Sequence, residues 1–187
     1  MVGMKSIVTA ALLICTASSV VAECPAAPDH SLRLGELITS AQIATDERAA
    51  QAVSNRMWEL WVDAPDDRAQ AFLDEGTARR ESYDFAGAIS VFEDLIEYCP
   101  NYAEGYNQKA FAHFLRQEYD IALIELDKAI ERSPNHIAAI SGKALTLIGL
   151  KRDDEAQIAL RKALSLNPWL KERQFLKGEM PVPKTDL

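Results

Sequence analysis

Three prolines, Pro100, Pro134 and Pro168, stand 34 residues apart, and each closes a stretch whose apolar residues recur at helical spacing. A fixed period of this size constrains the fold more than any other feature, because each repeat must be one unit that cannot bury its apolar face alone. Three consecutive lines follow without a gap: Ala69 to Tyr102, Ala103 to His136 and Ile137 to Leu170. Small residues hold the eighth place (Gly76, Ala110, Ala144) and the twentieth (Ala88, Ala122, Ala156). The twenty-fourth is large and apolar (Phe92, Leu126, Leu160), the twenty-seventh is Leu95, Ala129 and Ala163, and the fourth is Phe72, Tyr106 and Ile140.

Each half-line spaces its apolar residues by three and four, so each line is a pair of amphipathic helices. The small residues allow the two helices to approach closely, and the bulky twenty-fourth residue fills the space toward the next helix. Proline at the thirty-second place stops the second helix, since it lacks an amide donor and disfavours helix in the residue before it.

The pattern closely resembles the tetratricopeptide repeat, over about 102 of 187 residues. The resemblance implies an all-α fold, a right-handed α-solenoid of antiparallel helix hairpins. Departures are the charged seventh place (Glu75, Lys109, Lys143) and Arg79 and His113 at the eleventh, which are expected to loosen local packing. In this family the first helix of each pair lines a concave groove. That implies a partner-binding surface of Leu73 and Thr77 from the first repeat, Asn107, Phe111 and Phe114 from the second, and Ser141, Leu145 and Ile148 from the third. Gln70, Arg80, Glu81, Glu104, Leu115, Ala138 and Gly149 occupy further groove places. Burial of Leu73, Phe111, Phe114, Leu145 and Ile148 at about 1.5–3 kcal/mol each sums to order 10 kcal/mol. Such a surface calls for a cover, either the chain's own flanks or a partner. The family's carboxylate clamp, which grips acidic chaperone C-termini, is absent: Leu73, Thr77, Gln108, Ala138 and Gly142 replace its basic and amide residues.

Residues 1–22 read as a secretory signal: Lys5, an uncharged apolar run, then small residues to Ala22. The uncharged stretch from Ser6 to Ala22 is 17 residues, at the short edge for a bilayer span, so an uncleaved anchor is the alternative. Cleavage leaves a periplasmic or secreted chain with no membrane span, of the small exported bacterial type. It leaves Cys24 and Cys99, an even pair that in an exported protein invites a disulfide, against the alternative of two unrelated thiols. Residues 23–68 form a lead-in and a degenerate hairpin, with Ser31 capping its first helix, Thr45 or Asp46 its second, and Trp58 at the twenty-fourth place one period back. Residues 171–187 supply an amphipathic capping helix with Phe175 and Leu176 on one side, followed by a loose tail.

Chemistry is not visible in the sequence. His30, His113 and His136 have no ligand partners at metal spacing, and there is no nucleophile motif or phosphate-binding glycine loop. The acidic pairs Asp66-Asp67 and Asp153-Asp154 fall at helix starts, where they favour the helix dipole. A formal charge of −8 and a pI near 4.9 argue against nucleic acid and anionic membrane surfaces. The expectation is a non-catalytic adaptor without metal or cofactor, binding a protein or peptide segment in its groove. The alternative is a structural subunit of an envelope complex whose groove is self-filled by the N-terminal hairpin or the segment around Phe175.

Overall fold

The computed structural model describes residues 23–180; the expected signal (1–22) and residues 181–187 of the tail lie outside the described residues. Among the described residues there are eight α-helices and no strand: α1 (Ser31–Gln42), α2 (Glu47–Trp61), α3 (Asp67–Glu81), α4 (Phe85–Tyr98), α5 (Ala103–Leu115), α6 (Tyr119–Arg132), α7 (Ile137–Gly149) and α8 (Asp153–Leu166). The pairs α3/α4, α5/α6 and α7/α8 are the three 34-residue lines, and α4 packs on α5 as α6 packs on α7. The architecture is an all-α solenoid of antiparallel hairpins.

The packing follows the residue pattern. Phe92, Leu126 and Leu160 are buried between hairpins, beside Ala88, Ala122 and Ala156, which have no exposed surface. Gly76 is small because a Cβ there would collide with the Phe92 ring. Each second helix ends two residues before its proline, and the amides of Cys99, Ser133 and Asn167 each close the last turn onto Leu95, Ala129 and Ala163. The charged seventh place is matched by opposite charge. Lys109 reaches across to Glu93 (3.0 Å) and Lys143 to Asp127, both on the preceding second helix, while Glu75 pairs with Arg79.

A second 34-residue regularity lies in the tight turns inside each pair. Tyr83, Gln117 and Lys151 have φ of 66°, 62° and 59°, the left-handed region. Their geometry lets the next amide reach back, Asp84 to Arg79, Glu118 to His113 and Arg152 to Leu147, at 2.9–3.0 Å. This is the Schellman closure usually assigned to glycine, here adopted by side-chain-bearing residues at about 1–2 kcal/mol each.

The flanks depart from expectation. The α1–α2 hairpin does not extend the stack in front of α3; α1 rests on α8 at the far end of the chain. Leu34, Leu37, Ile38, Ala41 and Met57 form a core with Ile137, and Val53, Leu60, Trp61, Leu166 and Leu170 pack against it. Gln42 donates to the Ser165 carbonyl (2.7 Å) and Asn167 to the Ser54 hydroxyl (3.0 Å). Met57 rather than Trp58 is the large buried side chain of α2. Asp46 caps α2, but α1 starts at Ser31 itself, whose amide is taken by Asp29. After Pro168 the described residues form only a five-residue 3-10 turn, Lys171–Phe175, with no buried residue; the α1–α2 hairpin covers Leu166 and Leu170, where the sequence predicts a capping helix. Cys24 and Cys99 are bonded, with Cα atoms 5.2 Å apart, tying the lead-in to the end of α4. No described helix is long and apolar enough to cross a membrane.

Candidate functional site

The first helices α3, α5 and α7 share one face of the stack. Between α5 and α7 it opens into a cavity of about 220 Å³. Phe111 and Phe114 from α5 and Leu145 from α7 supply its apolar walls, with Leu126 of α6 beneath. Trp58 of the N-terminal hairpin forms one rim and Glu172 of the 3-10 turn another. Phe111 keeps 42% of its surface exposed, an unusual placement for a ring on a structural helix.

A buried polar cluster stands beside the cavity, on the same two helices. Glu104, 1% exposed, accepts from Asn107 (3.2 and 3.1 Å), from Gln108, and from His136 Nε2 at 2.7 Å. His136 Nδ1 accepts from the Ala139 amide, so the ring's proton is on Nε2, directed at the carboxylate. The ring also stacks on Trp61, with centroids 4.4 Å apart. Three donors satisfy the buried carboxylate, which locks the α5–α7 junction and provides the surface on which the hairpin lies. Tyr102 donates to the Trp61 carbonyl (2.8 Å), and burial pushes the Tyr102 phenol far above its usual pKa.

Arg80 of α3 completes the surroundings. Its guanidinium lies 4.8 Å over the Phe111 ring, and among the described residues it makes no ion pair. Burial lowers its pKa, outweighing the attraction of Glu81 and Glu104. Its neighbour Arg79, by contrast, is held by Glu75 (2.8 Å) and Asp84 (3.1 Å).

Of the residues expected to bind a partner, the structure gathers Asn107, Phe111, Phe114, Ser141 and Leu145 around this cavity. Leu73 is instead a core residue of the first pair, and Ile148 packs against the core of the third. Thr77 is half-buried and outside the cavity lining. Trp58 and Glu172 were not legible as site residues: the repeat register assigns Trp58 a packing place between hairpins, and Glu172 lies beyond the last repeat. The Glu104–His136 pair was also missed, although the two positions are separated by 32 residues, nearly one repeat, which a search for charged pairs across repeat junctions would find.

Comparison with known proteins matches the tetratricopeptide repeat profile to residues 139–168, which span α7 and α8. The chain thus carries a tetratricopeptide repeat at α7 and α8 and is similar to tetratricopeptide-repeat proteins. It is similar to a tetratricopeptide repeat protein 36 homolog of Nematostella vectensis, 39% identical over 72 residues, 38% of this chain and 40% of that one. A repeat-containing protein of Rhizobium etli is 22% identical over 136 residues, 73% of this chain and 67% of that one. The chain spans 40% to 67% of the length of these relatives. Among solved structures, the first tetratricopeptide domain of Spaghetti (RPAP3) bound to an HSP90 peptide superposes with a TM-score of 0.56 at 18% identity, covering 57% of this chain and 84% of that one. At that identity the likeness is one of fold.

Proposed function

We propose that this protein is a non-catalytic adaptor that holds a segment of a protein partner on the α3–α5–α7 face, with Phe111, Phe114 and Leu145 as the main contacts. The observation that carries this reading is the aromatic-walled cavity between α5 and α7, whose Phe111 ring stays exposed although its neighbours on the helix are buried. Apolar surface of this kind on a rigid helical scaffold is the usual basis for peptide recognition. The peptide-bound Spaghetti domain supports the same use of a similar fold. Residues 1–22 favour action in an extracytoplasmic space, and purification of the expressed chain from the periplasm with its N-terminus at Glu23 is the result expected on that reading.

Phe111→Asp and Phe114→Asp test the adaptor. Both should lose a partner captured by crosslinking in the native compartment while retaining helical circular dichroism. Retained capture by both variants overturns the reading.

A second reading has its own support. The α1–α2 hairpin already packs on α7 and α8, so part of this face is occupied by the chain itself, as in a structural subunit. Phe111→Asp separates the two: loss of capture with intact folding favours the adaptor, loss of folding favours the self-filled scaffold.

A further inference from the structure

We propose that the α5–α7 cavity is an anchor site for a single large aromatic side chain with a carboxylate on the adjoining residue, and that Arg80 receives the carboxylate. The inference rests on the adaptor reading and specifies the chemistry of its partner segment.

Size selects the anchor. At about 220 Å³ the cavity exceeds an engineered cavity of roughly 150 Å³ that accommodates benzene, and falls short of the roughly 300–1,000 Å³ of drug-sized pockets. It therefore suits one indole- or phenol-sized group rather than an extended small molecule. The walls suit such a group, because Phe111, Phe114 and Trp58 offer ring faces and edges and Leu126 and Leu145 offer aliphatic surface.

Charge selects the neighbour. The Arg80 guanidinium rests on the exposed Phe111 ring, half-buried, with Nε lacking any hydrogen-bond partner and no ion pair among the described residues. The attraction of Glu104 does not satisfy it, since that carboxylate is already engaged by His136, Asn107 and Gln108. Glu81 is exposed and not bonded to it. An incoming carboxylate gains a charge-assisted, two-pronged bond to a guanidinium that is already oriented on a ring, and an incoming cation is repelled. Glu172 contributes direction. Arg80 comes from the helix pair before α5 and Glu172 from the turn after α8, so the two charges stand toward opposite ends of the stack. The acidic residue of the partner belongs at the Arg80 end only.

The test uses the full exported chain and fluorescence anisotropy of two fluorescein-tagged octapeptides of glycine and serine, each with one central tryptophan. In one the tryptophan is flanked by aspartates, in the other by lysines. The acidic peptide is expected to bind at least about 10-fold more tightly, and Arg80→Gln to bring the two within about 2-fold. Phe111→Ala, at an exposed position, should weaken both. Equal binding of both peptides to the wild type, or a preference that survives in Arg80→Gln, overturns the role of Arg80 and leaves the adaptor reading intact. Binding of neither peptide overturns the anchor site itself. The adaptor reading is then judged separately, by partner capture in Phe111→Asp.

Discussion

Removing the Cys24–Cys99 bridge should cost this small solenoid a large share of its stability. The bridge links residues 75 apart in sequence, so in the unfolded chain it closes a loop containing the whole α1–α2 hairpin and the first repeat pair. The chain-entropy relation gives about 4.5 kcal/mol for a loop of that length. A domain of this size has roughly 5–15 kcal/mol in total, and a loss of 1 kcal/mol lowers Tm by about 2–4 °C. Cys24→Ser should therefore lower Tm by about 9–18 °C relative to the oxidised protein. Wild type melted in reductant should show the same loss, because both treatments free the same loop. The destabilised protein should also exchange amides faster in α1 and α2, whose attachment to the rest then depends on Ile137, Trp61–His136 and the Gln42–Ser165 bond. Differential scanning calorimetry of wild type, reduced wild type and Cys24→Ser decides the matter. A shift under about 2 °C in both treated samples would show that the closed loop carries no entropic weight, and alkylation of two thiols in the unreduced protein would remove the bridge from the account altogether.

Three further outcomes follow from the packing, the turns and the helix caps. Phe92→Ala removes a ring with no exposed surface from between Gly76 and the next helix, and urea unfolding should show a loss of about 3–5 kcal/mol. Lys151→Gly relieves a left-handed residue in an exposed turn, and urea unfolding should show a gain of about 0.5–1 kcal/mol once the glycine's added unfolded-state entropy is deducted. Asp66 is held below its ordinary pKa by the Tyr98 hydroxyl (2.7 Å) and the Ala69 amide (2.8 Å). Its contribution is present above about pH 4, the unfolded value, and is lost as pH falls through the lower folded value. Asp66→Asn should accordingly show a smaller drop in stability between pH 7 and pH 3 than wild type, and an unchanged drop would rule out this linkage.

The repeat stack was legible because its determinants are local and recur. A proline that stops a helix, a small residue that admits a neighbouring helix and a bulky one that fills the gap each act within a few residues or one repeat, so they leave a period of 34 in the sequence. The same logic located Phe111, Phe114 and Leu145, which face one direction because α5 and α7 are successive copies of the same helix. Leu73 and Ile148, at the fifth and twelfth places, go instead to core packing, Leu73 inside the first pair and Ile148 against the core of the third.

What only the tertiary structure decided is the placement of the flanks. The α1–α2 hairpin docks on residues more than a hundred positions away, Ser165 and Asn167 among them, through contacts that occur once and so have no period to reveal them. An amphipathic helix displays a face without naming its partner. Burial of Met57 rather than Trp58, the Trp61–His136 stack and the isolation of Arg80 over Phe111 arise only when distant surfaces compete to exclude water and desolvated polar groups find, or fail to find, a complement.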